Sequence, residues 1–206
     1  MKKLIISMLC MSLTAVASEP LWKKIYFRAD GGYTFPLKAA KGVELKNTPV
    51  YGGGIGFKIN EIFRSDINIQ VRSNEADKKR LFKNIDSTTL WLNNTVNLTD
   101  FEEMTPYFTF GLGVSSNKVK PYSDLNFLGT GASISTRSNK ENSFAWNVGA
   151  GTTLQLTRNV NLDFAYKFAN LGRAALNGTN SAVGEYKFTR KLRAHELLAG
   201  VIINLN

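Results

Sequence analysis

The chain has 206 residues, 43% of them hydrophobic and 20% charged, with a formal net charge of +10. This usage fits one folded domain, or two small ones, and excludes a disordered chain. The only unbroken apolar stretch, Leu4 to Ala17, is too short to cross a bilayer as a helix, which excludes a multi-spanning helical membrane protein.

That stretch reads as a secretory signal peptide. Lys2 and Lys3 form a basic start, Leu4 to Val16 an apolar core and Ala15-Val16-Ala17 an A-x-A cleavage site, so residues 1–17 are the leader and 18–206 the mature domain. Cys10, the single cysteine, leaves with the leader. A mature exported chain without cysteine is not a disulfide-stapled scaffold. Met8 and Leu9 do not make a lipoprotein box before Cys10, which argues against a lipid anchor.

The mature chain then repeats one unit, alternating apolar and polar residues followed by a break. Lys24 to Phe35 sets Ile25, Phe27, Ala29, Tyr33 and Phe35 against Arg28, Asp30 and Gly32. Val50 to Ile59 sets Tyr51, Ile55 and Phe57 against Gly52, Gly54, Gly56 and Lys58, and Arg64 to Ser73 sets Ile67, Ile69 and Val71 against Asp66, Asn68, Gln70 and Arg72. Thr88 to Leu98 alternates around Leu90, Leu92, Val96 and Leu98, with Asn94 out of place, and Pro106 to Val114 around Phe108, Phe110, Leu112 and Val114. Phe144 to Leu156, Val160 to Ala169 and Leu192 to Leu205 complete the series; in the second of these Val160, Leu162, Phe164, Tyr166 and Phe168 share one face. Strict period-2 alternation over ten residues is a strand with two different surroundings, so eight strands are predicted.

The connections alternate in length. Those at 60–63, 99–104 and 157–159 are short, whereas 36–49, 74–86, 115–143 and 170–189 are long. An even number of antiparallel strands with tight turns at one end and long loops at the other is the plan of a transmembrane β-barrel. A soluble barrel or a β-sandwich also has one apolar face, so the direction of that face decides. The polar face carries Arg28, Asp30, Lys58, Asp66, Arg72, Asp163, Lys167 and Glu196, a set that pairs well inside a narrow lumen. Glycines 52, 54, 56, 111, 113, 149, 151 and 200 share that face and leave room for long partners, and aromatic residues stand near strand ends on the other face, as interfacial girdles require. The fold class expected is all-β, an eight-stranded antiparallel up-and-down barrel with its apolar face toward lipid.

The segments IYFRADGGYTFP (25–36), YGGGIGFKI (51–59), RSDINIQVRS (64–73), TPYFTFGLGVS (105–115) and LRAHELLAGVIINLN (192–206) resemble the opacity-protein and OmpX-like family of bacterial surface barrels. The resemblance implies an outer-membrane location, assembly by the outer-membrane machinery, and exposed loops used in adhesion, invasion or immune interaction. Such barrels usually end in an aromatic residue, where this sequence has Leu205-Asn206.

Candidate chemistry is sparse. His195 is the only histidine, and no Cys/His/Asp/Glu cluster has metal-ligand spacing, so no metal or cofactor is expected. His195 falls on the outward face, and no nucleophile and orienting group can be assigned to it from Ser135, Ser138 or Ser143. The runs Gly52-Gly53-Gly54 and Gly111-Leu112-Gly113 lack the Lys-Ser/Thr and following helix of a phosphate loop. Eight strands enclose an interior that side chains just fill, which argues against a diffusion pore.

The long connections carry the charge. Together with the entry of the last strand, which adds Arg190, Lys191 and Arg193, they hold a net +9, densest at Lys78-Lys79-Arg80 with Leu81-Phe82 beside it and further at Lys118 and Lys120. A basic surface of this kind meets anionic lipopolysaccharide and offers a footprint for acidic host surface, matrix or serum proteins. The expected function is a non-enzymatic adhesin or surface antigen with no nucleic-acid partner. A structural barrel or a minor porin is the alternative.

Overall fold

The computed structural model describes residues 21–37, 45–75, 82–98, 103–121, 134–137, 140–180 and 184–205, so the predicted leader lies outside the described residues. A 3-10 turn, Leu21–Lys24, leads into β1 (Ile25–Pro36), β2 (Thr48–Lys58), β3 (Phe63–Glu75), β4 (Phe82–Asn97), β5 (Met104–Pro121), a short β6 (Ile134–Arg137), β7 (Lys140–Gln155), β8 (Val160–Asn180) and β9 (Gly184–Asn204). All ladders are antiparallel, and β9 pairs with β1 from Tyr26↔Asn204 to Pro36↔Ala194. Closure leaves eight long strands in an up-and-down barrel, as the alternation predicted. β6 is an accessory rung on β8, from Ile134↔Asn180 to Arg137↔Asn177.

Side chains fix the tight turns. The Asn60 carboxamide oxygen accepts from the backbone N–H of Ile62 at 2.9 Å and of Phe63 at 2.7 Å, closing the β2–β3 turn. Thr157 Oγ1 does the same for Asn159 and Val160 between β7 and β8, at 3.3 and 3.0 Å. Both are local side-chain turns of the kind that favours Asn and Thr at these positions.

Along β5, Met104, Phe108, Phe110, Leu112 and Val114 point outward and are exposed, while Tyr107 and Thr109 are buried inside. From Met104 to Val114, at ~3.3 Å per residue, the strand runs about 33 Å. With a tilt of about 40° this is an apolar band ~25 Å tall, the height of a transmembrane barrel. Asn94, the exception to the alternation, meets Ser65 Oγ across the β3–β4 ladder at 3.2 Å.

Five strands run four or more residues further at the long-loop end than predicted: β4 begins at Phe82, β5 reaches Pro121, β7 begins at Lys140, β8 reaches Asn180 and β9 begins at Gly184. The reason is a reversal of phase. From the top of the apolar band the inward residues become apolar, with Ile85, Val119, Ala145, Ala169, Leu171, Ala174 and Leu192 in a buried cluster with Trp91, and above the band the outward residues become polar. The sheet continues past the lipid, but its pattern inverts, so a reading tuned to one phase ends the strands early.

Candidate functional site

The lumen is organised around Arg28. Its Nε donates to Asp30 at 3.2 Å, Nη1 to Asp66 at 3.5 Å and Nη2 to Asp163 at 3.1 Å. Residues 28 and 30 share a face because β1 is regular, and register brings β3 and β8 to the same level from across the barrel. Each carboxylate is satisfied further. Asp30 accepts from Asn68 and Gln70 at 2.9 and 3.1 Å, and Asp66 from Asn93 at 2.9 Å and Tyr26 at 3.3 Å. Asp163 also accepts from Arg64 at 3.3 Å, Tyr107 at 3.0 Å and Thr153 at 3.2 Å. Nearer the long-loop end Arg72 pairs with Glu196 and donates to Gln70 at 3.1 Å, whose Oε1 also takes the Trp91 indole N–H at 2.8 Å. Lys167 is buried, with Asp66, Asp30 and Glu196 as its acidic surroundings.

Two expectations about this network change. Lys58 is only half-buried at the short-turn mouth, and no carboxylate lies within ion-pair distance of it among the described residues; its charged neighbour is Arg64. Arg64 is the cation that joins the network, and its guanidinium also sits 4.7 Å from the Tyr107 ring centroid. The sequence carried that signal, because Arg64 has the parity of Asp66. One-to-one pairing is likewise replaced by a hub, with Arg28 shared among three acids.

Glycines make this packing possible. A Cβ on Gly52 would approach Asp30 Oδ2 to 2.7 Å, one on Gly149 would approach Lys167 Cγ to 2.8 Å, and one on Gly56 would overlap the Tyr26 ring. Among the described residues, the network and the apolar cluster above it occupy the barrel interior from Asp163 up to Val119 and Ala174.

The rim differs from expectation. Lys118 and Lys120 are on β5 and Lys191 and Arg193 on β9, within the barrel wall and not in loops, and all four are exposed and directed outward. Arg190 is also on β9 and Phe82 opens β4, while Lys78, Lys79 and Arg80 lie outside the described residues. Wall and loop were confused for the reason given above, the inverted pattern. Lys120 bonds Asp86 at 2.7 Å, and Ser73 and Asn84 also donate to that carboxylate, at 2.6 and 2.9 Å. Burial opposes ionisation of Asp86, but the hydrogen bonds from Lys120 and Ser73 outweigh it and hold the carboxyl below its usual range.

His195 faces outward. Its Nδ1 lies 2.6 Å from the Tyr166 hydroxyl, and its ring stacks on Tyr166 and meets Phe168 edge-on. Trp146 packs against Phe168 in turn, so the histidine sits in an interfacial aromatic cluster. Ser143 is engaged with the Arg173 backbone. Among the described residues no group of His, Cys, Asp and Glu is arranged to hold a metal ion.

A closed eight-stranded barrel, apolar outside and polar within, is a transmembrane barrel, since only closure satisfies every backbone group in lipid. The chain belongs to the outer membrane protein beta-barrel domain family, whose profile matches residues 4–201, and it is a protein of the bacterial outer membrane. It is similar to protein RC1282 of Rickettsia conorii, 30% identical over 229 residues (98% of this chain and 97% of the relative). A Rickettsia bellii protein that bears the name "Putative adhesin" is 27% identical over 199 residues (85% and 86%). Among solved structures, Neisserial surface protein A superimposes with a TM-score of 0.62 at 16% identity, covering 87% of this chain and 96% of that one. That likeness is one of fold.

Proposed function

We propose that this protein is a non-enzymatic surface adhesin, holding its long connections outside the cell on a barrel that does not itself transport. The observation that carries the reading is the filled lumen. Arg28 with three carboxylates, the Arg72–Glu196 pair and the apolar cluster above them occupy the interior, leaving the rim and the connections as the surface for interaction. A filled lumen also weighs against the porin alternative. Within the connections Lys78-Lys79-Arg80 is the densest basic segment, with Leu81 and Phe82 next to it as an apolar anchor. Such a footprint suits acidic host glycoproteins or glycans. The name of the Rickettsia bellii relative points the same way.

The test is capture of host surface, matrix and serum proteins by the refolded barrel. It is run beside a version in which residues 76–81 and 122–133 are replaced by Gly-Ser, both checked for the heat-modifiable mobility of a folded barrel. Capture by the parent and its loss in the replaced version is the expected result. Equal capture by both, or none by the parent, overturns the reading.

A further inference from the structure

Around the network five inward cations, Arg28, Lys58, Arg64, Arg72 and Lys167, face four carboxylates, Asp30, Asp66, Asp163 and Glu196. Arg28 and Arg64 bond the three aspartates, Arg72 bonds Glu196, and Lys167 lies among Asp66, Asp30 and Glu196. The cation left over is Lys58, at the short-turn mouth. Among the described residues the other inward carboxylate, Glu141, stands opposite Asn117 at the far end of the barrel. Glu61, the acid nearest to Lys58 in sequence, is exposed in the β2–β3 turn and makes no ion pair with it.

The neighbour of Lys58 is a second cation. Lys58 stands directly opposite Arg64 in the β2–β3 ladder, and both have the inward parity of Gly56 and Asp66. Directly opposed residues have Cβ atoms about 5 Å apart, and like charges so placed repel. Arg64 is also incompletely bonded. Its Nη2 donates to Asp163 at 3.3 Å and to Thr153 at 3.4 Å, whereas its Nε–H is buried and meets no acceptor. Burying a donor without an acceptor is costly. Following the ladders from Arg64, the next inward residues are Thr95 on β4 and Thr109 on β5, both neutral. Asn161 on β8 and Asn204 on β9 are neutral as well.

The repulsion and the unpaired N–H call for the same thing, a negatively charged acceptor. Hydration of Lys58 alone leaves the Arg64 Nε–H unpaired. Chloride neutralises charge but offers one centre to donors that arrive from two strands. An oxyanion offers several acceptor oxygens, which suits an ammonium beside a guanidinium.

We propose that the short-turn mouth of the lumen is a binding site for one small oxyanion, held between the Lys58 ammonium and the Arg64 guanidinium. Lys58 is half-buried, so the site opens to solution, whereas Arg64 is buried and anchors it to the network. The Arg28 hub closes the lumen above, so the ligand enters and leaves by the same mouth and does not cross the barrel. Short turns of an outer-membrane barrel face the periplasm, which makes the ligand a periplasmic solute that bears a phosphate or carboxylate group. The site is remote from the long connections and independent of the adhesin reading.

The test titrates inorganic phosphate into the refolded, isotope-labelled barrel in a neutral sugar detergent, with sodium chloride adjusted to hold ionic strength constant. Backbone amide shifts are followed by NMR. The parent shows saturable shifts at residues 56–58 and 63–65 and none at the outer-wall cations Lys118 and Lys191. Lys58→Met weakens binding about ten-fold, as loss of one charge-assisted contact implies, and Lys58→Arg keeps most of the affinity. Phosphate raises the melting temperature of the parent and not that of Lys58→Met, because a ligand of the folded state stabilises it. Lys58 bonds no carboxylate of the network, so Lys58→Met melts in chloride as the parent does. Absence of saturable shifts in the parent, or undiminished affinity in Lys58→Met, overturns the proposal. Shifts confined to Lys118 and Lys191 overturn it as well, since they assign the phosphate to the outer wall.

Discussion

Asp163 receives bonds from Arg28 at 3.1 Å, Arg64 at 3.3 Å, Tyr107 at 3.0 Å and Thr153 at 3.2 Å, so Asp163→Asn removes one charge from beneath two guanidinium groups. At an effective dielectric constant of about 20, each ionic contact at these distances carries ~5 kcal/mol of gross attraction. Arg28 retains Asp30 and Asp66, whereas Arg64 retains only Thr153 at 3.4 Å and the Tyr107 ring. Relief of the carboxylate's own desolvation cancels part of the gross loss. The net cost expected for an uncompensated buried cation is therefore about 3–5 kcal/mol. The assay is reversible urea unfolding in lipid vesicles, followed by tryptophan fluorescence. Adding Arg64→Met to Asp163→Asn should restore at least half of the loss, because the stranded charge is gone. A cost below about 1 kcal/mol, or no recovery in the double variant, refutes the view that a dry ionic network fills the lumen.

Phe164→Arg places a charge on the lipid face and should cost about 2–4 kcal/mol in the same assay, while Asn161→Arg on the inward face costs clearly less. Gly54→Ala should destabilise by about 1–3 kcal/mol, since its Cβ would meet the Ile67 carbonyl oxygen at 2.1 Å, whereas Gly53→Ala, with only the Arg28 oxygen at 3.6 Å, should be nearly neutral. Asp86 should titrate by carboxyl NMR with a midpoint below the ordinary ~3.9, so its contribution is present above that pH and is lost as pH falls through the depressed value; a midpoint at or above 3.9 contradicts the cluster.

How much was legible in the sequence depended on the solvent at each height. Within the bilayer, lipid outside and charge inside impose opposite demands on successive residues, and from Val160 to Ala169 the pattern was nearly perfect. Beyond the lipid both demands reverse, and at Lys118 and Lys120 strand read as loop. Parity identified most of the lumen charges, and would have identified Arg64 with Asp66. Parity cannot say which of several charges on one face meet across a barrel; that depends on register and shear, so the sharing of Arg28 among Asp30, Asp66 and Asp163 emerged only in three dimensions. The outward turn of Arg173, at a register shift between Asn170 and Arg173 on β8, was hidden for a related reason, because a single bulge reverses the alternation by which faces are assigned.

The adhesin reading is tested most directly by the attachment rate to host cells of bacteria displaying the parent or the Lys78→Ser, Lys79→Ser, Arg80→Ser variant, at matched surface levels and unchanged melting behaviour. If the basic connection steers association, the variant attaches several-fold more slowly at low salt, and the difference closes as ionic strength rises past the point where the screening length falls below about 8 Å. Equal attachment of the two at low salt would contradict it.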